Sequence, residues 1–210
     1  MVFKDREEAG QLLADELKKL NLENPFILAI PRGGVIIGKI VAGGLSAPVD
    51  VVVCRKLGVP GHEELGFGAI APGDVLVIND EIIKNLSIGS DTIDAVRESE
   101  KQELARRESV YRSQKGAPSI TDKDVVIVDD GIATGVTIRA AIKYIKSLNP
   151  QQIIVAAPVC AADSAVEIKK EVEKTVFLSE PEYFAAVGQF YQDFPQTTDE
   201  EVITALKTSI

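Results

Sequence analysis

The chain has 210 residues, of which 45% are hydrophobic, and its formal net charge is −9. This size and composition predict one α/β domain over residues 1–210 rather than two independent domains. The acidic balance argues against nucleic acid as the main partner, because binding to phosphates requires surplus Lys and Arg. No apolar run approaches the roughly 20 residues that span a bilayer, and the N-terminus lacks the apolar core of a signal peptide, so we expect a cytoplasmic protein with no membrane partner. Cys54 and Cys160 lie in apolar runs, which predicts buried free thiols.

Strand-like and helix-like segments alternate along most of the chain. Asp5 and Glu8 predict the capped start of a first helix, which ends near Leu20. Short apolar runs predict strands at 26–30, 49–53, 125–128, 153–157 and 175–178, and periodic runs predict helices at 34–45, 136–148 and 163–173. This alternation implies right-handed crossovers. The predicted fold class is therefore α/β, with a central, mostly parallel sheet of about five strands flanked by helices.

Two segments interrupt the alternation. Residues 66–112, which we name the lid, begin with a hairpin pattern that turns at Pro72 and Gly73 and continue into a charged helix. We expect the lid to exclude water from a site, and its deletion to abolish activity while leaving a folded sheet. Residues 179–210, which we name the hood, hold five of the eleven aromatic residues, and Thr198 with Glu201 predicts the capping box of a short helix after them. The aromatic rings predict a cover for a planar base, and the alternatives are a core contact or an interface with a second copy in a homodimer.

Residues 125–137 combine a buried strand, an acid pair, a loop of small residues and a helix. Asp129 and Asp130 directly follow the strand, and Gly131 and Gly135 bracket the turn into the helix. In an open α/β sheet, ligands bind at the C-terminal ends of the strands. Carboxylates bind hydroxyl groups or a metal ion, whereas loop amides and a helix N-terminus bind anions. The combination predicts a site for a sugar phosphate.

Two more motifs follow the first and second predicted strands. Arg32, Gly33 and Gly34 come after the first strand, where the glycines allow close backbone approach and the Arg fork suits a pyrophosphate. Arg55 and Lys56 come after the second strand, where two adjacent cations suit a polyanion. A structural turn and an exposed basic pair are the respective alternatives.

Residues 125–137, which read Val-Val-Ile-Val-Asp-Asp-Gly-Ile-Ala-Thr-Gly-Val-Thr, resemble the signature of the type I phosphoribosyltransferases. The one departure is Gly131, where that family usually has an aliphatic residue. The Arg-Lys-Leu-Gly sequence at 55–58 is similar to a loop of uncharacterised bacterial and archaeal members. The resemblance implies a phosphoribosyltransferase that uses 5-phosphoribosyl-1-pyrophosphate (PRPP), a nitrogenous base and Mg²⁺.

The resemblance assigns catalytic roles to Asp129, Asp130 and Lys56. The acid pair would hold the ribose hydroxyls, directly or through Mg²⁺ and water, and the loop at 133–137 would surround the 5-phosphate. The leaving pyrophosphate would contact Arg32, Gly33 and one residue of the basic pair. For that contact the resemblance favours Lys56 over Arg55. The residues expected to bind the substrates are Arg32, Gly33, Gly34, Arg55, Ala133, Thr134, Gly135, Val136 and Thr137.

The acceptor base stays open at this point. Hypoxanthine-guanine transferases usually have an Asp at the position of Ala133. Adenine transferases have an alanine there, as this chain does. This difference argues against a 6-oxopurine acceptor without establishing adenine, so a purine or a pyrimidine-like base remains compatible with the sequence.

Two other functions are compatible with the same motifs. The first is a regulatory protein that senses PRPP without turning it over. The second is a nucleotide-binding P-loop, because residues 33–39 fit G-x-x-x-x-G-K, although Ile40 replaces the Ser or Thr that should bind magnesium. The single histidine, His62, leaves too few ligands for a zinc protease motif.

Overall fold

The structure is a computed structural model that describes residues 1–112, 116 and 118–207, apart from the side chain of Glu64. The last three residues of the predicted hood, 208–210, lie outside the described residues. In chain order the elements are α1 (Arg6–Lys18), β1 (Pro25–Ala29), α2 (Gly33–Leu45), β2 (Val49–Val51), β3 (Arg55–Val59), β4 (His62–Ala71), β5 (Val75–Ile78), α3 (Asp80–Asn85), α4 (Ser90–Arg112), β6 (Asp124–Val128), α5 (Val136–Lys146), β7 (Gln152–Val159), α6 (Ala162–Lys169), β8 (Lys174–Ser179), a 3-10 helix (Val187–Phe190) and α7 (Asp199–Lys207).

Five parallel strands form the central sheet in the order β2-β1-β6-β7-β8. Every residue of β6 is buried, because helices cover both faces of the sheet. Leu13 of α1 and Ile37 of α2 pack with Val126 on one face. Ile138 of α5 packs with Ile127 on the other face. The predicted α/β class with a central parallel sheet is therefore confirmed.

The structure shortens the second predicted strand and adds a helix that was not predicted. The second strand ends at Val51 rather than at residue 53, because the chain leaves the central sheet there and starts a new sheet at Arg55. A short helix, α3, was not predicted. Its sequence signal is Asn79, whose side chain accepts hydrogen bonds from the amides of Glu81 and Ile82 and so caps the helix.

The lid contributes the second half of β4 and all of β5 to a second, antiparallel sheet in the order β3-β4-β5. The predicted hairpin is present, with its turn at 72–74, and the predicted charged helix is α4. Ala69 packs in the same core cluster as the inner face of α5, and the buried ring of Phe67 packs with Val35 of α2. This packing argues against a lid that can be deleted without unfolding the sheet. The limits 66–112 stay a prediction.

The aromatic residues of the hood are divided between the core and the surface. Phe190 and Tyr191 are buried beside Phe3, which exchanges backbone hydrogen bonds with the segment 190–192. Phe184 and Phe194 are half-buried and pack against the same cluster. Tyr183 is 90% exposed. The core alternative is therefore correct for four of the five rings.

The last helix joins the hood to the lid. The hydroxyl oxygen of Thr198 accepts from the amide of Glu201 at 3.2 Å, and the Glu201 carboxylate accepts from the amide of Thr198 at 2.7 Å. This is the predicted capping box at the start of α7. Val202 on the inner face of α7 is buried with Leu104 of the lid. Within the part of the chain that the structure describes, no helix is both long enough and apolar enough to cross a membrane.

Candidate active site

The glycine motif and the acid pair meet at the C-terminal ends of two neighbouring strands, β1 and β6. The amide of Ile30 donates to the carbonyl of Val128 at 2.8 Å, which brings the two loops together. A Cβ on Gly34 would lie 2.9 Å from the Cα of Asp129, and a Cβ on Gly33 would overlap the carboxylate of Asp130. Only glycine fits this close approach, so the backbone of one loop lies directly against the carboxylates of the other.

Asp130 is held by residues that the sequence analysis did not single out. Its carboxylate accepts from Nε of Arg6 at 2.9 Å, and its backbone carbonyl accepts from the hydroxyl of Tyr191 at 2.6 Å. Its amide donates to Oδ1 of Asp129 at 2.8 Å. Arg6 lies 124 positions away in the chain, and nothing in the local sequence of α1 distinguishes it from an ordinary helix-surface Arg.

Burial raises the pKa of both carboxyl groups. The pKa of Asp129 lies well above its usual range because of burial and the neighbouring charge of Asp130. Burial also raises the pKa of Asp130, but the Arg6 guanidinium opposes this effect. One cation beside two buried carboxyls stabilises one negative charge better than two. The negative charge of the pair is therefore favoured on Asp130.

Arg32 faces the C-terminal helix. The Pro31–Arg32 peptide bond is cis, and α2 begins immediately afterwards at Gly33. The guanidinium of Arg32 lies 3.8 Å from the carboxylate of Asp199, at the start of α7. The same carboxylate accepts a 2.6 Å hydrogen bond from the hydroxyl of Tyr111 in the lid. Arg32, which is predicted to bind pyrophosphate, thus lies where the central sheet, the lid and the hood meet.

The predicted phosphate loop follows the acid pair and leads into α5. Ala133 and Thr134 are exposed, and the carbonyl of Ala133 accepts from the hydroxyl of Ser164 at 2.5 Å. Gly135 has φ of 68°, a conformation that favours glycine, and Val136 begins the helix. No side chain among the described residues caps this helix N-terminus. Its first-turn amides, which include that of the half-buried Thr137, can therefore bind an anion.

The basic pair belongs to β3 of the antiparallel sheet and not to a loop of the central sheet. Nε of Arg55 lies 2.6 Å from the carboxylate of Glu100 on α4. The aliphatic part of Lys56 lies over Gly66 of the neighbouring strand, where a Cβ would come within 2.7 Å of it. Arg55 is thus paired with α4 of the lid. The binding of a polyanion by Arg55 and Lys56 stays a prediction.

The P-loop alternative does not fit the structure. Residues 33–39 all lie within helix α2, and Lys39 is exposed on the surface of that helix. A P-loop needs these residues in a loop whose amides surround the phosphates. A continuous helix from Gly33 onward does not form such a loop, and its amides from residue 37 onward are bonded within the helix.

The acid pair could contribute to a magnesium site only together with other ligands. Among the described residues, no group of three or more His, Cys, Asp or Glu side chains could hold a metal ion. Mg²⁺ in phosphate-transferring and pyrophosphate-releasing sites typically uses one or two carboxylates together with substrate oxygens and water. Asp129 and Asp130 supply such a set.

The chain is similar to known proteins over most of its length. The model of the phosphoribosyl transferase domain family matches residues 75–194, more than half of the chain. The protein therefore belongs to the phosphoribosyl transferase domain family.

Two relatives come from strains of Mycobacterium tuberculosis and are both named "Putative phosphoribosyl transferase" (MT0597 and Rv0571c). Each is 39% identical over 205 residues, which cover 98% of this chain and 46% of the relative. The chain thus spans about half the length of the curated relatives it matches. The crystal structure of TT1426 from Thermus thermophilus is 37% identical, with a TM-score of 0.81 and 98% of both chains covered. A purine phosphoribosyltransferase from Pyrococcus horikoshii shares the fold, at 20% identity and a TM-score of 0.50, over 90% of this chain and 91% of that one.

Proposed function

We propose that the protein transfers the 5-phosphoribosyl group of PRPP to a nitrogenous base and releases pyrophosphate. The observation that carries the proposal is the seating of Gly33 and Gly34 against the carboxylates of Asp129 and Asp130. A loop suited to a pyrophosphate and an acid pair suited to ribose hydroxyls then adjoin one another, and the N-terminus of α5 follows for the 5-phosphate.

In this mechanism the bond between ribose C1 and pyrophosphate breaks through an oxocarbenium-like transition state, and a ring nitrogen of the base bonds to C1. The protein contributes positioning and charge stabilisation rather than a covalent intermediate. Asp129 and Asp130 hold the ribose hydroxyls, and the amides at 133–137 with the hydroxyls of Thr134 and Thr137 bind the 5-phosphate. When bound, Mg²⁺ would neutralise charge on the departing pyrophosphate, and the acid pair would hold it directly or through water.

Arg32 and Lys56 would receive the pyrophosphate in this scheme. Arg32 directly precedes α2, whereas Lys56 follows the second predicted strand and lies in β3 of the antiparallel sheet. A pyrophosphate bound between them would join the lid to the central sheet. Binding of the donor would therefore close the site against water, which an oxocarbenium-like species requires.

The hood offers one exposed ring for the acceptor. Tyr183 is 90% exposed and follows β8, which ends at the same edge of the sheet as the acid pair. A planar base could stack on this ring. The side chain of Ala133 is small and leaves space at the phosphate loop. In this proposal the acceptor is a purine or a pyrimidine-like base.

A PRPP sensor without transfer activity is the second candidate, and two contacts favour it. Asp130 is paired with Arg6 and Arg32 faces Asp199, so both charged groups assigned to the donor have partners within the protein. A sensor would bind PRPP and exchange these pairs for contacts to the ligand, with no release of pyrophosphate.

Calorimetric titration with PRPP, with and without Mg²⁺, tests the proposal first. We expect PRPP to bind in a magnesium-dependent way and the binding to be lost in Asp129→Asn. Lys39→Ala should keep the binding, because Lys39 lies on the exposed side of α2. A panel of purine and pyrimidine bases, assayed by pyrophosphate release, then separates the transferase from the sensor. Absence of PRPP binding to the native protein would refute both.

A further inference from the structure

Arg6 is the residue through which the N-terminal helix reaches the candidate active site. Nε of Arg6 donates to Oδ2 of Asp130 at 2.9 Å. Nη1 donates to the backbone carbonyl of Pro195 at 2.8 Å, and the guanidinium carbon lies 3.8 Å from the centre of the Phe194 ring. One side chain thus contacts the acid pair and two residues of the hood.

We infer that Arg6 is a positioning residue for the donor site, which fixes Asp130 against the hood and leaves Asp129 as the carboxylate that meets the ribose hydroxyls. This inference rests on the proposed function. It adds a residue from outside the signature segment and gives the two acids different roles.

The burial of the Arg6–Asp130 pair supports this assignment. The side chains of Arg6 and Asp130 are only 10% and 14% exposed. A buried charge is costly unless it is paired, and removal of one partner leaves the other uncompensated. The planar guanidinium can bond a carboxylate and a carbonyl in different directions while its face rests on an aromatic ring. The ammonium group of a Lys could keep the charge but could not reproduce all three contacts.

The surroundings of Asp130 restrict its side chain to this orientation. The backbone at Gly33 lies against the carboxylate, and the hydroxyl of Tyr191 binds the carbonyl of the same residue. Arg6 binds Oδ2 of Asp130 from another element of the fold, whereas the hydrogen bond to Oδ1 of Asp129 comes from the neighbouring amide within the same loop. Asp130 therefore acts mainly as the anchor of the pair.

The test measures binding of PRPP with Mg²⁺ by calorimetry in four proteins: the native chain, Arg6→Gln, Arg6→Lys and Lys18→Gln. Lys18 lies on the same helix in an exposed ion pair with Asp15, so its variant is the matched control. Arg6→Gln should weaken binding about tenfold or more, as expected for the loss of a charge-assisted hydrogen bond. Arg6→Lys should recover part of the loss, and Lys18→Gln should bind as the native protein does.

A double-mutant cycle separates positioning from general support of the fold. If Arg6 acts through Asp130, Arg6→Gln should weaken binding in the native background and have little further effect in the Asp130→Asn background. Equal losses in the two backgrounds would overturn the inference, as would native affinity in Arg6→Gln. If Arg6→Gln does not fold, Arg6→Lys replaces it in the cycle. Its loss of PRPP affinity in the native background is then compared with its loss in the Asp130→Asn background. A native protein that does not bind PRPP would instead refute the proposed function, and the positioning role with it.

Discussion

Val187 of the hood occupies the space that a side chain on residue 131 would need. A Cβ on Gly131 would overlap Cγ1 of Val187 and would lie 3.1 Å from Cγ1 of Val159. The one departure from the family signature therefore has a structural explanation. This chain has a glycine after the acid pair and fills the volume with a residue of the hood.

Gly131→Val should destabilise the protein by about 1–3 kcal/mol, the usual cost of overpacking. The added side chain would push the hood away from the acid pair, and Val187→Ala in the same protein should recover part of the loss. Urea unfolding measures both effects. Gly43→Ala is the control, because no atom lies within 4 Å of a Cβ at this position of α2. It should be neutral or slightly stabilising, and an equal loss in both glycine variants would contradict the packing explanation.

Asp199→Asn should strengthen binding of inorganic pyrophosphate by about two- to fivefold, the range for an ion pair that is partly open to solvent. The carboxylate of Asp199 lies 3.8 Å from the guanidinium of Arg32 and would compete with the ligand for it. Calorimetric titration with pyrophosphate and Mg²⁺ measures the change. Asp15→Asn, which removes a surface ion pair on α1, should leave the affinity unchanged. Weaker binding in Asp199→Asn would mean that Asp199 positions Arg32 rather than competing with the ligand.

Phe67→Ala should lower the free energy of unfolding by about 3–5 kcal/mol, the cost of deleting a buried aromatic side chain. The ring of Phe67 is fully buried between the lid and α2, so the change tests whether the lid is part of the core. Leu65→Ala, two residues earlier on the same strand, is the control because Leu65 is 44% exposed. It should change the stability by no more than about 0.5 kcal/mol. Similar small effects in the two variants would indicate a lid that is independent of the core.

Cys54 and Cys160 should react with a thiol reagent only after unfolding. Both thiols are buried and free, and burial raises the pKa of Cys160 to about 12. The pKa of Cys54 is raised further, by burial and by the negative charges of Asp129 and Glu108. The reactive thiolate is therefore scarce near pH 8. The rate of modification at pH 8, in native buffer and in denaturant, checks this. Rapid modification of the native protein would contradict the burial.

The strands and the acid pair could be predicted from local patterns. The run of β-branched residues before Asp129 is long enough to identify β6, and Asp5 and Thr198 each cap a helix as the sequence predicts. The course of the chain after Val51 could not be predicted in this way. An apolar run shows that residues 52–54 are buried, but it does not show which sheet the following residues join.

The amino-acid sequence by itself determined the α/β class, the chain order of the central strands with their helices, and the segment 125–137 that resembles the family signature, because these features depend on neighbouring residues. Only the tertiary structure decided that Arg6 binds Asp130, that Asp199 faces Arg32 and that Val187 fills the space at Gly131. In each pair the partners are far apart in the chain. Their contact depends on how helices and hood pack against the sheet, and local periodicity carries no information about a partner at that distance.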